Sequence, residues 1–81
     1  MLSELKAGAK VVGAKQTKRA VDGACALRVF LASDADPRVT EPVEALCSER
    51  GVPVEKGATM RELGAACGIA VGAAVAALVR A

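Results

Sequence analysis

Residue types suited to holding an anion are concentrated in one run near the amino terminus. Lys15, Lys18 and Arg19 fall in a run where a helix should begin. Cations at a helix amino terminus oppose the helix dipole, so folding stability does not account for Lys15 and Lys18 there. The first N–H groups of such a helix have no intrahelical acceptor, and Gln16 offers both a donor and an acceptor to the edge of a base. A solvated helix face is the alternative, but this placement favours a nucleic acid. The run reads Gly13-Ala14-Lys15-Gln16-Thr17-Lys18-Arg19.

A second segment sets branched aliphatic side chains between two glycines, Gly68 and Gly72. Ile69 and Val71, separated by Ala70, are either core residues beside a strand or exposed residues of a loop. A loop rarely buries both of its side chains, so we expect exposure. Exposed aliphatics on a loop need a partner. An unpaired base extruded from RNA is one such partner, and an apolar protein groove is the other.

The chain is 53% hydrophobic and has Phe30 as its single aromatic residue. Its length and composition predict one domain, residues 1–81, with a modest core. The net charge of +2 permits an anionic partner without establishing one. The distribution of charge along the chain is more informative, because the first nineteen residues contain several cations but only one acid, Glu4. These cations are Lys6, Lys10, Lys15, Lys18 and Arg19.

Cysteine usage favours a reducing cytoplasm. Cys25, Cys47 and Cys67 lie far apart in apolar runs without C-x-x-C spacing, so we expect three small buried hydrophobes. With no histidine there is no plausible zinc set, and we expect no metal and no other cofactor. The residues from 1 to 6 lack the pattern of an export signal.

An uncharged stretch, Leu63 to Val79, is long enough to raise the question of a membrane span. It is rich in alanine and carries Gly68 and Gly72 near its middle, which is unfavourable for such a span. We expect a helix end, a loop and a buried strand instead, and no membrane association.

The remaining pattern alternates helices with strands, which predicts an α/β fold: a three-layer α/β/α sandwich around a mixed sheet of about four strands. The predicted helices are Glu4 to Ala9 capped by Ser3, Lys15 to Asp22 ended by Gly23, one capped by Thr40 and closed by Gly51, and one from Met60 to about Gly68. The predicted strands are Val11–Val12, Leu27 to Ala32 buried on both faces, one beginning at Val52-Pro53-Val54, and Ala73 to Val79.

Local signals support several of these boundaries. Thr59 and Glu62 have the spacing of a capping box at the start of the fourth helix. Pro42 is compatible with the third helix if that helix begins at Thr40, because proline is tolerated in a first turn. The predicted core face of the third helix is Val39, Val43, Leu46 and Cys47.

An acidic turn, Asp34-Ala35-Asp36-Pro37, is open to two interpretations. Its carboxylates are compatible with magnesium, but a helix cap is the more common use of such a turn. With no histidine and no tyrosine in the chain, general acid–base chemistry has few candidates, so we do not expect an enzyme.

Three motifs in this order resemble the kink-turn-binding ribosomal protein family (L-seven-Ae), and its small bacterial members of the YbxF type in particular. The run at 13–19 is similar to the family's Gly-x-Asn-Glu-x-x-Lys signature, the turn at 34–37 to its acidic turn, and residues 63–74 to its RNA-facing loop and strand. The resemblance implies an α/β/α sandwich that binds, as a monomer, kink-turn RNA with tandem sheared G·A pairs, in ribosomal RNA or an mRNA leader. The RNA-binding residues it implies are Gly13, Ala14, Lys15, Gln16, Lys18, Arg19, Ile69, Ala70 and Val71.

The chain departs from the family pattern at two of these motifs, the run at 13–19 and the loop within 63–74. Lys15-Gln16 stands where most members have Asn-Glu, which replaces an anionic acceptor with an amide and adds charge. Ala70 stands where many members have an acid, which removes a polar contact from the loop. We therefore expect less stringent base readout than in archaeal members of the family.

Overall fold

The computed structural model describes residues 2–80, with side chains from residue 4 onward. Helices and strands alternate along these residues, as the sequence predicts. The helices are α1 (Leu2–Ala7), α2 (Ala14–Asp22), α3 (Pro37–Arg50) and α4 (Met60–Ala66), and the strands are β1 (Lys10–Val12), β2 (Ala26–Leu31), β3 (Val54–Lys56) and β4 (Val75–Val79).

The four strands form one mixed sheet in the order β1-β4-β2-β3. The last strand lies inside the sheet, antiparallel to β1 on one side and to β2 on the other, whereas β2 and β3 are parallel. Pairing of Val12 with Ala76 places the end of β1 beside the start of β4. The segments that follow β1 and precede β4 therefore meet at one edge of the molecule.

Helices cover both faces of the sheet, which confirms the predicted sandwich. On one face, Leu5 of α1 and Leu63 of α4 pack on Phe30 and Ala76. On the other face, Val21 of α2 and Val43 of α3 pack on alternate residues of the same strands. We call these the α1/α4 face and the α2/α3 face. The strand residues of the second face are Val29, Leu31, Val75 and Ala77.

Two helix starts differ from the prediction. The first helix begins at Leu2, so Ser3 lies within it and is not its cap, and it ends at Ala7 instead of Ala9. The third helix begins at Pro37 with Asp36 as its cap: the Asp36 carboxylate accepts the backbone N–H of Arg38 at 2.9 Å. Thr40 is therefore inside the helix. Proline suits the first helical position, which explains the earlier start.

Three predicted burials are also wrong. Leu27, at the irregularity between Ala26 and Arg28 in the β2–β4 pairing, is 43% exposed, so only the second half of β2 is buried. Val39, in the first turn of α3, is 38% exposed, although it shares one side of the helix with the buried Val43. Cys25 is exposed in the connection after α2, whereas Cys47 and Cys67 are buried as predicted.

The uncharged stretch from 63 to 79 divides as the sequence predicts. The end of α4, a loop and β4 share it, with Val75, Ala76 and Ala77 buried in the sheet. Within the described residues, no helix is both long and apolar enough to cross a membrane.

Candidate nucleic-acid interface

The predicted cationic helix start and the predicted aliphatic loop lie at the same edge of the sheet. The Gly13 N–H donates a hydrogen bond of 2.8 Å to the carbonyl of Val75, the first residue of β4. This bond ties the start of α2 to the end of the loop that precedes β4. Residues that are more than fifty positions apart in sequence therefore belong to one surface.

The amino terminus of α2 is open to a ligand. Gly13 has φ 102°, a backbone conformation that favours glycine, and no side chain of the described residues caps the helix. Its carbonyl accepts the N–H of Thr17 at 3.0 Å, which closes the first helical turn. The N–H groups of residues 14–16 find no acceptor among the described residues. Such a set of donors, at the positive end of the helix dipole, is suited to a phosphate.

The polar side chains of this helix point outward. Lys15, Gln16, Lys18 and Arg19 are exposed, and the three cations form no ion pair with the described residues. Lys15 and Lys18 are three positions apart and so share one side of the helix. Ala14 is half-buried and packs against the core of the α2/α3 face, which leaves its backbone as the group available to a ligand.

The loop after α4 presents its aliphatic side chains to solvent, as predicted. Val71 is 71% exposed and Ile69 is 37% exposed, with Ala70 exposed between them. Gly68 ends the helix with φ 76°, and the N–H of Ile69 donates to the Gly64 carbonyl at 3.1 Å. These contacts fix the loop to the end of α4.

Two glycines let this loop lie directly on α4. A Cβ at Gly64 would overlap the carbonyl oxygen of Val71, and a Cβ at Gly72 would lie 3.1 Å from the Cβ of Met60. The Ala73 N–H also donates to the Met60 carbonyl at 3.0 Å. The loop therefore contacts α4 near both the start and the end of the loop.

Asp34 and Arg61 join this surface, although sequence reasoning did not include them in it. Together with Met60 and the loop they line an open pocket of about 440 Å³. The Asp34 carboxylate accepts the Met60 N–H at 2.7 Å, which supplements the capping box that Thr59 and Glu62 form as predicted. Arg61, in the first turn of α4, forms no ion pair with described residues. Its position was a detectable signal, because a cation there opposes the helix dipole as Lys15 does.

The two carboxylates of the acidic turn have separate protein donors. Asp36 accepts the backbone N–H of Arg38 and pairs with its guanidinium at 2.8 Å, and these contacts hold the pKa of Asp36 below its usual value. Asp34 is directed to Met60 instead. The helix-cap interpretation is confirmed for Asp36, and within the described residues no group of three acidic, cysteine or histidine side chains is placed to hold a metal.

This fold and this sequence define the class of the protein. The chain belongs to the Ribosomal protein L7Ae/L30e/S12e/Gadd45 family, whose model matches residues 2–81. The resemblance drawn from the three sequence motifs is thereby confirmed at the level of the family.

Individual relatives extend the match over nearly the whole chain. An RNA-binding protein of Geobacillus sp. (strain WCH70) is 49% identical over 76 residues, which cover 94% of this chain and 93% of that one. The RNA-binding protein YbxF of Geobacillus stearothermophilus is 47% identical over 76 residues, also covering 94% of this chain and 93% of that one. The solved structure of a Giardia lamblia 15.5kD RNA binding protein matches with a TM-score of 0.92 at 29% identity, covering 99% of this chain and 71% of that one.

Proposed function

We propose that this protein binds RNA by recognising and stabilising a kink-turn, an internal loop with tandem sheared G·A pairs between two helical arms. Its relatives from Geobacillus and the solved Giardia protein are named as RNA-binding proteins, and they share its fold or close to half of its sequence. Of the three motifs that resemble the kink-turn-binding family, those at 13–19 and 63–74 meet at the edge described above, and Asp34 of the third lines the pocket beside the loop.

One observation carries the proposal: an uncapped, cation-bearing helix start is hydrogen-bonded to the strand that follows an exposed aliphatic loop. The Gly13 N–H to Val75 carbonyl bond makes this connection. Phosphate groups and an unstacked base, the two features that an RNA internal loop offers side by side, then meet complementary surfaces.

The two parts of the surface have different tasks in this proposal. The free N–H groups of residues 14–16, with Lys15, Lys18 and Arg19, bind phosphate oxygens and supply affinity without regard to sequence. Gln16 bonds to a base edge, and Ile69 and Val71 pack on an extruded base. The second set of contacts needs bases that are splayed out, which a regular duplex does not offer.

We further propose that residues 1–81 act as one RNA-binding domain, without a cofactor and without catalysis, on a ribosomal RNA or an mRNA leader in the cytoplasm. Alanine at position 70 leaves the loop without a charged side chain, so its contribution is apolar packing.

Titration of two RNAs in a gel-shift assay tests the proposal. One RNA contains a kink-turn, and the other has the same arms with its G·A pairs replaced by Watson–Crick pairs. We expect the kinked RNA to bind at least about tenfold more tightly, a difference of about 1.4 kcal/mol. Equal affinity for the two RNAs would contradict kink-turn recognition.

The 71% exposure of Val71 favours a second candidate, docking of the loop into an apolar groove of a protein partner. The dependence of binding on ionic strength distinguishes the two candidate functions. Binding through phosphate contacts weakens steeply as ionic strength rises, whereas apolar docking does not. RNA affinity that is insensitive to salt would therefore favour the protein-docking function.

A further inference from the structure

An open groove of about 290 Å³ extends from α2 to the end of β4. Gln16 and Arg19, which are three positions apart and so share one side of the helix, both line it. Arg80, the residue after β4, lines the same groove. We call it the α2/β4 groove. It begins within the cationic helix start and leads away from the aliphatic loop, to an arginine that belongs to neither.

The α2/β4 groove combines an apolar lining with two guanidinium groups, and no carboxylate of the described residues lines it. Val11 of β1, Ala20 of α2 and Val79 of β4 supply the apolar part. Arg19 and Arg80 are exposed, and neither forms an ion pair with the described residues. Such a groove is complementary to a chain that alternates anionic groups with apolar surface. A ribose–phosphate backbone is a chain of this kind.

Hydrogen bonds hold Arg80 against the connection that follows α2. Its backbone N–H donates to the Cys25 carbonyl at 3.0 Å, and its Nε donates to the Ala24 carbonyl at 3.2 Å. The two Nη groups have no acceptor among the described residues. A guanidinium that is held at Nε with Nη free can donate to phosphate oxygens with little further loss of side-chain freedom.

We propose that the α2/β4 groove binds the ribose–phosphate backbone of an RNA arm that extends along α2, with Arg80 as a phosphate-binding residue. This inference rests on the proposed function and extends its contact surface beyond the helix start. An RNA held by the N–H groups of residues 14–16 and by Gln16 already lies at the groove, because Gln16 lines it. Contacts with phosphates and sugars position the arm without reading its sequence.

Cys25 provides a direct readout of whether RNA occupies the groove. Its exposed thiol lines the groove, whereas Cys47 and Cys67 are buried. The rate at which iodoacetamide, a small uncharged reagent, modifies Cys25 is followed by mass spectrometry in the free protein and in protein saturated with kink-turn RNA. Since the reaction requires access to the thiol, we expect bound RNA to slow it severalfold.

An unchanged rate at saturation would overturn the inference, because the groove would then be open in the complex. A rate that falls as protein concentration rises in the absence of RNA would also overturn it. That result would indicate a second copy of this chain in the groove.

Two variants of Arg80 separate phosphate binding from support of the fold. For Arg80→Gln we expect about two- to fivefold weaker RNA binding. The plot of log affinity against log salt should become shallower by about one, for one lost phosphate contact. Arg80→Lys keeps the positive charge but loses the Nε donor, so it should bind RNA nearly as well as wild type. Equal loss of affinity in both variants would show that Arg80 only supports the connection after α2, and would overturn the inference.

Lys56→Gln is the matched control. It removes the same charge from β3, which lies at the opposite edge of the sheet from β1, and from a lysine that Glu44 already pairs. We expect it to leave the salt dependence close to that of wild type; the same change as in Arg80→Gln would indicate an effect of net charge alone and contradict the inference. The proposed function fails separately, since it requires that the wild-type protein distinguish kinked from fully paired RNA, which does not depend on Arg80.

Discussion

Neighbouring side chains on α2 offer RNA two different kinds of contact. Lys18 is a mobile point charge, suited to phosphate on any RNA, whereas the amide of Gln16 forms directional bonds with particular base edges. Thr17, between them, is fully buried, so that side of the helix faces the interior of the protein. The outer side chains are thus held on a fixed element while remaining free to bind.

Gln16→Ala should therefore reduce specificity, and Lys18→Ala should reduce affinity alone. We expect loss of the amide to cost about 1–3 kcal/mol on kinked RNA and little on plain duplex. Loss of the lysine should weaken binding to both RNAs alike and lower the salt slope by about one. Titration of both variants against both RNAs, at several salt concentrations, measures these effects.

Each variant serves as a control for the other, since both residues are exposed and neither change should alter the melting temperature appreciably. If Gln16→Ala unfolds the protein or leaves discrimination intact, Gln16 does not read a base. The run at 13–19 would then be a solvated helix face.

At this scale the sequence predicted exposure where the backbone had to turn. Ile69 and Val71 are exposed because the residues between Gly68 and Gly72 leave the helix without entering the sheet. Burial of Cys25 was predicted from its apolar neighbours and was wrong, because those neighbours form a connection and not a helix face or strand. The position of Arg61 in the first turn of α4 was a signal in the sequence, but its proximity to the loop arises only in the folded chain.

At the scale of elements, α4 and its loop act as one unit because two glycines allow close approach. Gly64 leaves room for the Val71 carbonyl, and Gly72 does the same for Met60. A loop held in this way can present aliphatic side chains in a fixed orientation, which limits the entropy lost on binding.

Gly64→Ala should displace the loop and reduce discrimination between kinked and paired RNA. The added methyl group overlaps a backbone oxygen, which cannot move aside as a flexible side chain can, so we expect a loss of about 1–3 kcal/mol in stability as well. Affinity for plain duplex, which depends on the cations of α2, should change little. RNA titration well below the melting temperature measures both affinities.

Val43→Ala provides the control for lost stability, because Val43 is fully buried on the α2/α3 face, away from the loop. It should lower the melting temperature and leave the ratio of the two affinities intact. Preserved discrimination in Gly64→Ala, or the same reduction in both variants, would contradict a positioning role for Gly64.

Element boundaries were predictable where one local signal dominated. The capping box at Thr59 and Glu62 fixed the start of α4, and Gly51, with φ 71°, ends α3 as expected. The start of α3 was misplaced because two caps competed, and Asp36 followed by Pro37 prevailed over Thr40. As a result, Pro42 lies beyond the first turn of the helix.

At the scale of the whole molecule, alternation of helices and strands predicted the layers but not the strand order. Insertion of β4 between β1 and β2 depends on pairings between residues far apart in sequence, such as Val12 with Ala76. That insertion brings the motifs at 13–19 and 68–72 to one edge. The composition of the candidate site was therefore predictable from the residues, whereas its assembly required the fold.

Resonance energy transfer between dyes on the two RNA arms shows whether the assembled surface stabilises a bent RNA. A protein that contacts the bent form better than the extended form shifts the population toward the bent form. We expect transfer to rise as protein is added to kink-turn RNA under conditions in which the free RNA is mostly extended, and to stay constant for the fully paired RNA. Binding to kink-turn RNA without any change in transfer would show that the protein does not stabilise the bent form.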